Sequence, residues 1–273
     1  MNRIEETFAS LKTADRKALI PYIMAGDPDL DTTAALVVEL DRRGADLVEL
    51  GVPFSDPIAD GPTIQRAALR ALDRGTTLRA IVDTVASIRK QSTIPIVLMT
   101  YYNPVLAYGT GDLCRDAARA GVDGLIVPDL PPEEGTELSD ACRRYGLTVV
   151  FLVAPTSTAA RIELVSRHTT GFVYCVSLTG VTGARGKLAD GVDAFMAQVR
   201  SRTDRPLGLG FGISSPEQAR EAARMADGVI VGSAIINEME AHAGEPDMVR
   251  SVGEYVASLR TGIDRETPVP AQG

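Results

Sequence analysis

RRGADLVELG, residues 42–51, runs from a basic helix end through a short turn with an aspartate into an apolar strand, and the same joint returns as RAGVDGLIVP (119–128) and RMADGVIVGS (224–233). Similar joints imply similar units of helix, turn and strand. Outward from them, short apolar β-branched runs alternate with longer helical patterns, the signature of βα units and a parallel sheet. The strand candidates are ALIPYIM (18–24), DLVEL (46–50), IPIVLMT (94–100), GLIVP (124–128), TVVFLV (148–153), GFVYCV (171–176), PLGLG (206–210) and GVIVG (228–232). Between them, TTAALVVELDRRG, GDLCRDAARAG, EEGTELSDACRRYG and SPEQAREAARM carry N-terminal acids and C-terminal Arg or Gly, as helix ends prefer. Strands that are each followed by a helix, in this number, fit an α/β (β/α)8 TIM barrel better than an open doubly wound sheet, which shows fewer strands and an edge. Residues 2–12 read as an extra N-terminal helix. The barrel domain is expected to span 1–260, with TGIDRETPVPAQG (261–273) as a flexible tail.

Composition narrows the function classes. The chain has 273 residues, 45% hydrophobic and 23% charged, with a net charge of −8. It can bury a large core, and it lacks the clustered positive field that nucleic acid or an anionic membrane needs. Arg66, Arg70 and Arg74 form a stripe at i, i+4, i+8 that reads as a solvated helix face. Cys114, Cys142 and Cys175 form no C-x-x-C pair, and His168 and His242 have no partner at metal-ligand spacing, so no metal site is expected. Cys142 and Cys175 read as small reduced core residues of a cytoplasmic protein. The N-terminus lacks an apolar signal region, and no run reaches the ~18 residues of a membrane span.

In a barrel, the active site lies at the C-terminal ends of the strands. That places Tyr22, Glu49, Met99, Asp129, Tyr174 and Gly210 around one mouth. VELGVPFSDPIADGPT (48–63) sets Glu49 in an apolar strand and leads through a Pro-rich loop to Asp60. An ionised carboxylate among apolar neighbours costs several kcal/mol unless it is paired, protonated or used, and no lysine stands at any of the strand ends to pair with it. Such burial raises the pKa and suits proton transfer near neutrality. Asp60 serves either as a second carboxylate or as an ordinary N-cap of the helix beginning near Pro62. GLGFGISSPEQ (208–218) runs from strand into a helix capped by Ser215, with Gln218 closing a capping box, and GVIVGSAIINEM (228–239) starts a helix at Gly232 and Ser233. Backbone N–H groups at such turns bind phosphate without lysine. SLTGVTGARGKL (177–188) reads as a lid or as an exposed connection.

VELGVPFSDPIADGPTIQ, YNP (102–104), GLIVPDLPPEE (124–134), SLTGVTGAR, GFGISSPEQ and VGSAI, in order across nearly the whole chain, resemble the α subunit of tryptophan synthase. The first is highly specific. The resemblance implies a (β/α)8 barrel that cleaves indole-3-glycerol phosphate by a retro-aldol reaction to indole and glyceraldehyde 3-phosphate. It implies no cofactor in this chain and a β-subunit partner that carries pyridoxal phosphate, receives the indole and completes an αββα heterotetramer. By position, Glu49 matches the general acid/base, Asp60 the carboxylate that engages the indole N–H, and Tyr174 the tyrosine beside the reacting carbon. Gly183, Gly212, Gly232 and Ser233 match the phosphate site, and Tyr22, Met99, Ile126 and Phe211 the indole pocket. Asp56 and Pro57, with Asn103 and Pro104 on the adjacent strand's loop, are the expected partner contacts. Tyr22, Met99 and Leu178 stand where some relatives carry Phe, Leu and Arg. Competing expectations are another phosphate-binding barrel, whose site would lean on lysines or metal ligands, and a silent barrel kept only as an activating partner.

Overall fold

The run TVVFLV is where the sheet closes. In the computed structural model, which describes residues 2–176, 191–210 and 212–265, this run is two strand segments, β5 (Thr148–Val150) and β6 (Leu152–Val153), divided at Phe151. The order in the sheet is β5-β4-β3-β2-β1-β9-β8-β7-β6, with every pairing parallel. Its two ends are therefore consecutive pieces of one strand, which closes a barrel and excludes the open sheet. The Phe151 carbonyl accepts from Tyr174 N–H at 3.1 Å and its own N–H donates to Thr169 Oγ1 at 3.3 Å, so the break stays hydrogen-bonded.

The other strands are β1 (Ala18–Met24), β2 (Val48–Gly51), β3 (Ile96–Met99), β4 (Gly124–Ile126), β7 (Val173–Val176), β8 (Leu207–Gly210) and β9 (Gly228–Val231). Helices α1 (Arg3–Thr13), α2 (Leu30–Arg42), α3 (Pro62–Asp73) and α4 (Leu78–Ile88) belong to the first half of the chain. They are followed by α5 (Tyr102–Tyr108), α6 (Thr110–Ala120), α7 (Thr136–Tyr145) and α8 (Ala159–His168). The last four are α9 (Val192–Arg200), α10 (Pro216–Met225), α11 (Ser233–Ala241) and α12 (Met248–Asp264).

Side-chain alternation divides the core in two. Val48, Leu50, Ile96, Leu98, Val173 and Cys175 join a shell with the helices. The alternate strand positions Leu47, Val97, Ile126, Phe172 and Ile230 fill the barrel interior together with Ile4, Phe8 and Leu11 of α1. Helix α1 thus plugs the barrel from below, its Phe8 ring centroid 5.5 Å from that of Phe172. Glycine at 208 and 228 makes this fit: a Cβ would lie 2.9 Å from the Phe172 ring at the first and 3.0 Å from Ile20 at the second. Cys114 and Cys142 are buried between α6 and α7, with Sγ atoms 3.6 Å apart, and Cys175 is buried on β7.

Two expectations change. The arginine stripe on α3 does face solvent, with Arg66 and Arg74 exposed, but it is also paired: Arg70 binds Asp27 and Glu240, and Arg66 binds Glu240. Residues 261–264, expected to begin the tail, belong to α12, which runs to Asp264; Ile263 is buried and Arg260 holds the Asp264 carboxylate at 2.6 and 2.9 Å.

The repeated joints have one physical reason. Asp46 accepts Leu19 N–H at 2.8 Å, Asp123 accepts Ile96 N–H at 2.8 Å, and Asp227 accepts Leu207 N–H at 2.9 Å. Each aspartate sits just before a strand and takes an N–H from the start of the adjacent one. Each also meets an arginine: Arg260, Arg89 and Arg200 respectively. Strand β2 begins at Val48 and β3 at Ile96, two residues later than their apolar runs. Asp123 is the most enclosed, 3% exposed, and it also holds Arg3 of α1 at 2.8 Å. Asp123→Ala leaves Arg89 and the Ile96 N–H without this partner and should cost about 3–5 kcal/mol in urea unfolding, against about 1 kcal/mol for Asp227→Ala, whose carboxylate and arginine are both partly exposed. Equal losses at the two sites would contradict this account.

Candidate active site

Glu49 lies inside the barrel and is 0% exposed. Strand β2 continues to Gly51, so Glu49 sits one residue further from the strand end than expected, in register with Tyr22 on β1 and Val97 on β3. Neither carboxylate oxygen has a hydrogen-bond partner among the described residues. Burial alone pushes its pKa up to about 8. At neutral pH the group is therefore mostly protonated, which is how an apolar interior holds a carboxyl without a counter-ion.

Two phenols flank it. Burial raises Tyr22 well above the usual tyrosine range, with the charges of Asp60 and Glu49 adding to it. Tyr174 is raised by burial and then by Glu49. Glycines at the strand ends make room for both rings: a Cβ on Gly51 would meet the Tyr22 hydroxyl at 2.0 Å, and one on Gly210 would meet that of Tyr174 at 3.1 Å.

Asp60 ends the loop between β2 and α3, half-buried. It does not cap α3, whose N-cap position is Gly61. Its carboxylate is raised by burial and lowered by a hydrogen bond from Tyr101. Tyr101 organises the loop further: its hydroxyl accepts Ala59 N–H at 3.0 Å and its ring centroid lies 5.4 Å from that of Phe54. Sequence reasoning missed Tyr101, although the available signal was an aromatic residue at a strand end directly before the YNP motif. Asp129, beyond the C-terminal end of β4, accepts Tyr102 N–H at 2.9 and 3.2 Å and so fixes the start of α5.

On the opposite side, β8 and β9 are neighbours, and their continuations bring Gly212 and Gly232 to the same rim. Gly212 has φ +59, a left-handed conformation that favours glycine. Gly232 is the N-cap of α11, which begins at Ser233 and so offers first-turn N–H groups without intrahelical partners. Ser215 caps α10 as expected, but Gln218 reaches past the cap to accept Ser214 N–H at 2.8 Å. Met99 is partly buried at the end of β3, and Ile126 lies wholly inside. Gly183, Phe211 and Leu178 fall outside the described residues. Asp56 and Asn103 are exposed, and Pro57 and Pro104 half-buried. Asn103 and Pro104 belong to the first turn of α5 rather than to a loop, since Pro104 lacks only an N–H that would have no partner there.

Among the described residues no group of His, Cys, Asp and Glu is placed to hold a metal, and no helix is long and apolar enough to cross a membrane. A family profile described as Tryptophan synthase alpha chain matches residues 8–263. The chain belongs to the tryptophan synthase alpha chain family. The alpha chain of Citrifermentans bemidjiense is 53% identical over 263 residues, covering 96% of this chain and 98% of its own. That of Roseiflexus castenholzii is 53% identical over 262 residues, covering 95% and 100%. The crystal structure of the Legionella pneumophila alpha subunit aligns with TM-score 0.90 at 41% identity, covering 97% of this chain and 99% of that one. A chain of the Pyrococcus furiosus tryptophan synthase complex aligns with TM-score 0.82 at 36% identity, covering 90% and 99%. As a tryptophan synthase alpha chain, the protein cleaves indole-3-glycerol phosphate and passes indole to a β subunit, to which the pyridoxal phosphate belongs.

The elevated Glu49 pKa has a measurable signature in this alpha chain. Unfolded, the group titrates near 4.5; folded, near 8, so between these values the native state binds the extra proton. Stability should fall as pH rises through that window, by up to about 1.4 kcal/mol per unit, and level off above it. Glu49→Gln lacks this slope, so its advantage in denaturation midpoint should grow from about pH 5 to pH 8. Parallel curves for the two proteins would contradict the dry-site account.

Proposed function

We propose that the barrel mouth carries out the cleavage with two carboxyl groups in different roles. Protonated Glu49 delivers its proton to C3 of the indole, making the ring an electron-accepting indolenine. The bond from C3 to the glycerol chain then breaks, its electron pair returning to the ring, while Glu49 takes the proton of the adjacent hydroxyl as that carbon becomes the aldehyde. Atoms and charge balance without metal or Schiff base. Asp60 accepts the indole N–H and offsets the positive charge that develops on the nitrogen. The observation that carries this reading is Glu49 itself, wholly buried, without a hydrogen-bond partner among the described residues and titrating at about 8, a value suited to both giving and taking a proton near neutrality.

Tyr174 stands beside the reacting carbon, and Tyr22, Met99, Ile126 and Phe211 enclose the ring. Backbone N–H groups at Gly212, Gly232 and Ser233, with Gly183, hold the phosphate. Asp56, Pro57, Asn103 and Pro104 form the β-subunit contact. Support for that face comes from three of the most exposed large apolar side chains among the described residues: Ile58 (79%), Leu69 (56%) and Leu106 (53%) lie on the loop after β2, on α3 and on α5. The protein is assigned to the cytoplasm, where a small phosphorylated substrate is held.

Indole release from indole-3-glycerol phosphate tests the chemistry. Glu49→Gln should bind ligand and lower kcat by at least about 10²–10⁴-fold, and Asp60→Asn by less. Near-normal turnover by Glu49→Gln would remove the mechanism. Adding a β subunit should speed cleavage, and Asp56→Ala should blunt that activation while sparing the slow rate of the isolated chain; a parallel fall in both rates would refute the contact.

A further inference from the structure

We infer that Arg70 is a positioning residue of the cleavage reaction: through Asp27 and Glu240 it fixes helix α3, and with it Asp60, relative to the start of α11. The inference rests on the assignment of Asp60 to the indole N–H.

Arg70 lies on α3, and its guanidinium is a three-way junction. Nε and Nη2 hold both oxygens of Asp27 at 2.8 and 2.7 Å, and Nη1 holds Glu240 at 2.7 Å. Asp27, in the loop after β1, is only 3% exposed, and a bidentate pair with a buried carboxylate fixes orientation as well as distance. Arg66 adds bonds to Glu240 at 3.2 and 2.9 Å from the more exposed side.

The rest of the α3 contact has little to hold the helix in register. Its buried face is Ala67, Ala68 and Ala71 against Tyr22, Met24 and Ile236, small side chains that form shallow ridges, with the partly buried Ile64 the one larger α3 side chain in the cluster. Burial presses α3 onto the barrel, and the arginine fork sets where along the surface it stops.

Both ends of the junction lead to the site. Toward Asp60 the path is short: Gln65 in the first turn of α3 donates to the Asp60 carbonyl at 2.8 Å, and Pro62 stiffens the two-residue link. On the other side Glu240 lies near the end of α11, about two turns from Ser233, whose N–H faces the phosphate in the reading above. Asp60 and the phosphate anchor are thus joined through helix, ion pair and helix, and the length of that path sets how the indole nitrogen meets its carboxylate.

The test uses the full chain in four variants: Arg70→Gln, Arg70→Lys, Asp60→Asn and Asp60→Asn/Arg70→Gln. Arg70→Gln should lower kcat by about 10- to 100-fold, since misplacing a reacting group by about 1 Å costs about that much. Arg70→Lys should fall nearly as far, because it keeps the charge and loses the fork. Affinity for glycerol 3-phosphate should change less than about twofold, whereas affinity for indole-3-propanol phosphate should drop by about tenfold. In the Asp60→Asn background the further effect of Arg70→Gln on kcat should shrink to about twofold or less. Arg74→Gln, an exposed change on the same helix end, should leave all values unchanged. If Arg70→Gln does not fold, Asp27→Asn/Arg70→Gln leaves no buried charge unpaired at Asp27 and should give the same pattern. Equal weakening of both ligands, or additive losses of kcat, would overturn the inference and leave Arg70 a stability residue. Unchanged kcat in Asp60→Asn would instead remove the site assignment beneath it.

Discussion

A barrel closes only if each strand is offset from its neighbour by a fixed amount, and here aspartates at the strand feet impose that offset. Asp46, Asp123 and Asp227 each take an N–H from the start of the adjacent strand and are held in turn by an arginine. A slip of one residue would break these bonds and send every interior side chain to the helical shell. Glu49 would then leave the interior, and Leu50 would point at the substrate. The position of the chemistry thus depends on polar contacts at the far end of the strands.

Those contacts also explain how the barrel tolerates a carboxyl that has no hydrogen-bond partner among the described residues. Arginines are engaged at the strand feet and along α3, while the described neighbours of Glu49 are apolar groups and two phenols. Fully satisfied polar networks below and beside the site leave the middle dry, and dryness is what lifts the Glu49 pKa. Tyr22, Gly51, Tyr174 and Gly210 form two ring-over-glycine pairs that keep the space open above it.

The strands were legible because each is a β-branched apolar run, and the joints because their aspartates recur at one spacing. Glu49 was legible as a charge in an apolar run. Other features were hidden for definite reasons. The break at Phe151 leaves the apolar pattern intact, so only the hydrogen bonding reveals it. Tyr-Asn-Pro looks like a turn, yet α5 starts there because Asp129 supplies the partner for Tyr102 N–H from 27 residues away. The arginine stripe had the spacing of a solvated face, and its partners Asp27 and Glu240 lie 43 and 170 residues from Arg70, beyond any local pattern. Tyr101 carries no charge, and only its place at a strand end before Tyr-Asn-Pro marked it.

Helix α1 reaches into the barrel floor, and its Phe8 rests on Phe172. During synthesis Phe8 leaves the ribosome long before Phe172 exists; at about 5–20 residues per second the gap is on the order of ten seconds or more. The first helix made is therefore among the last to find its seat. Until then the floor stays open, and the nascent chain must carry an apolar helix, Ile4, Phe8 and Leu11, with nothing yet built to receive it. The order of translation and the order of locking run in opposite directions in this protein.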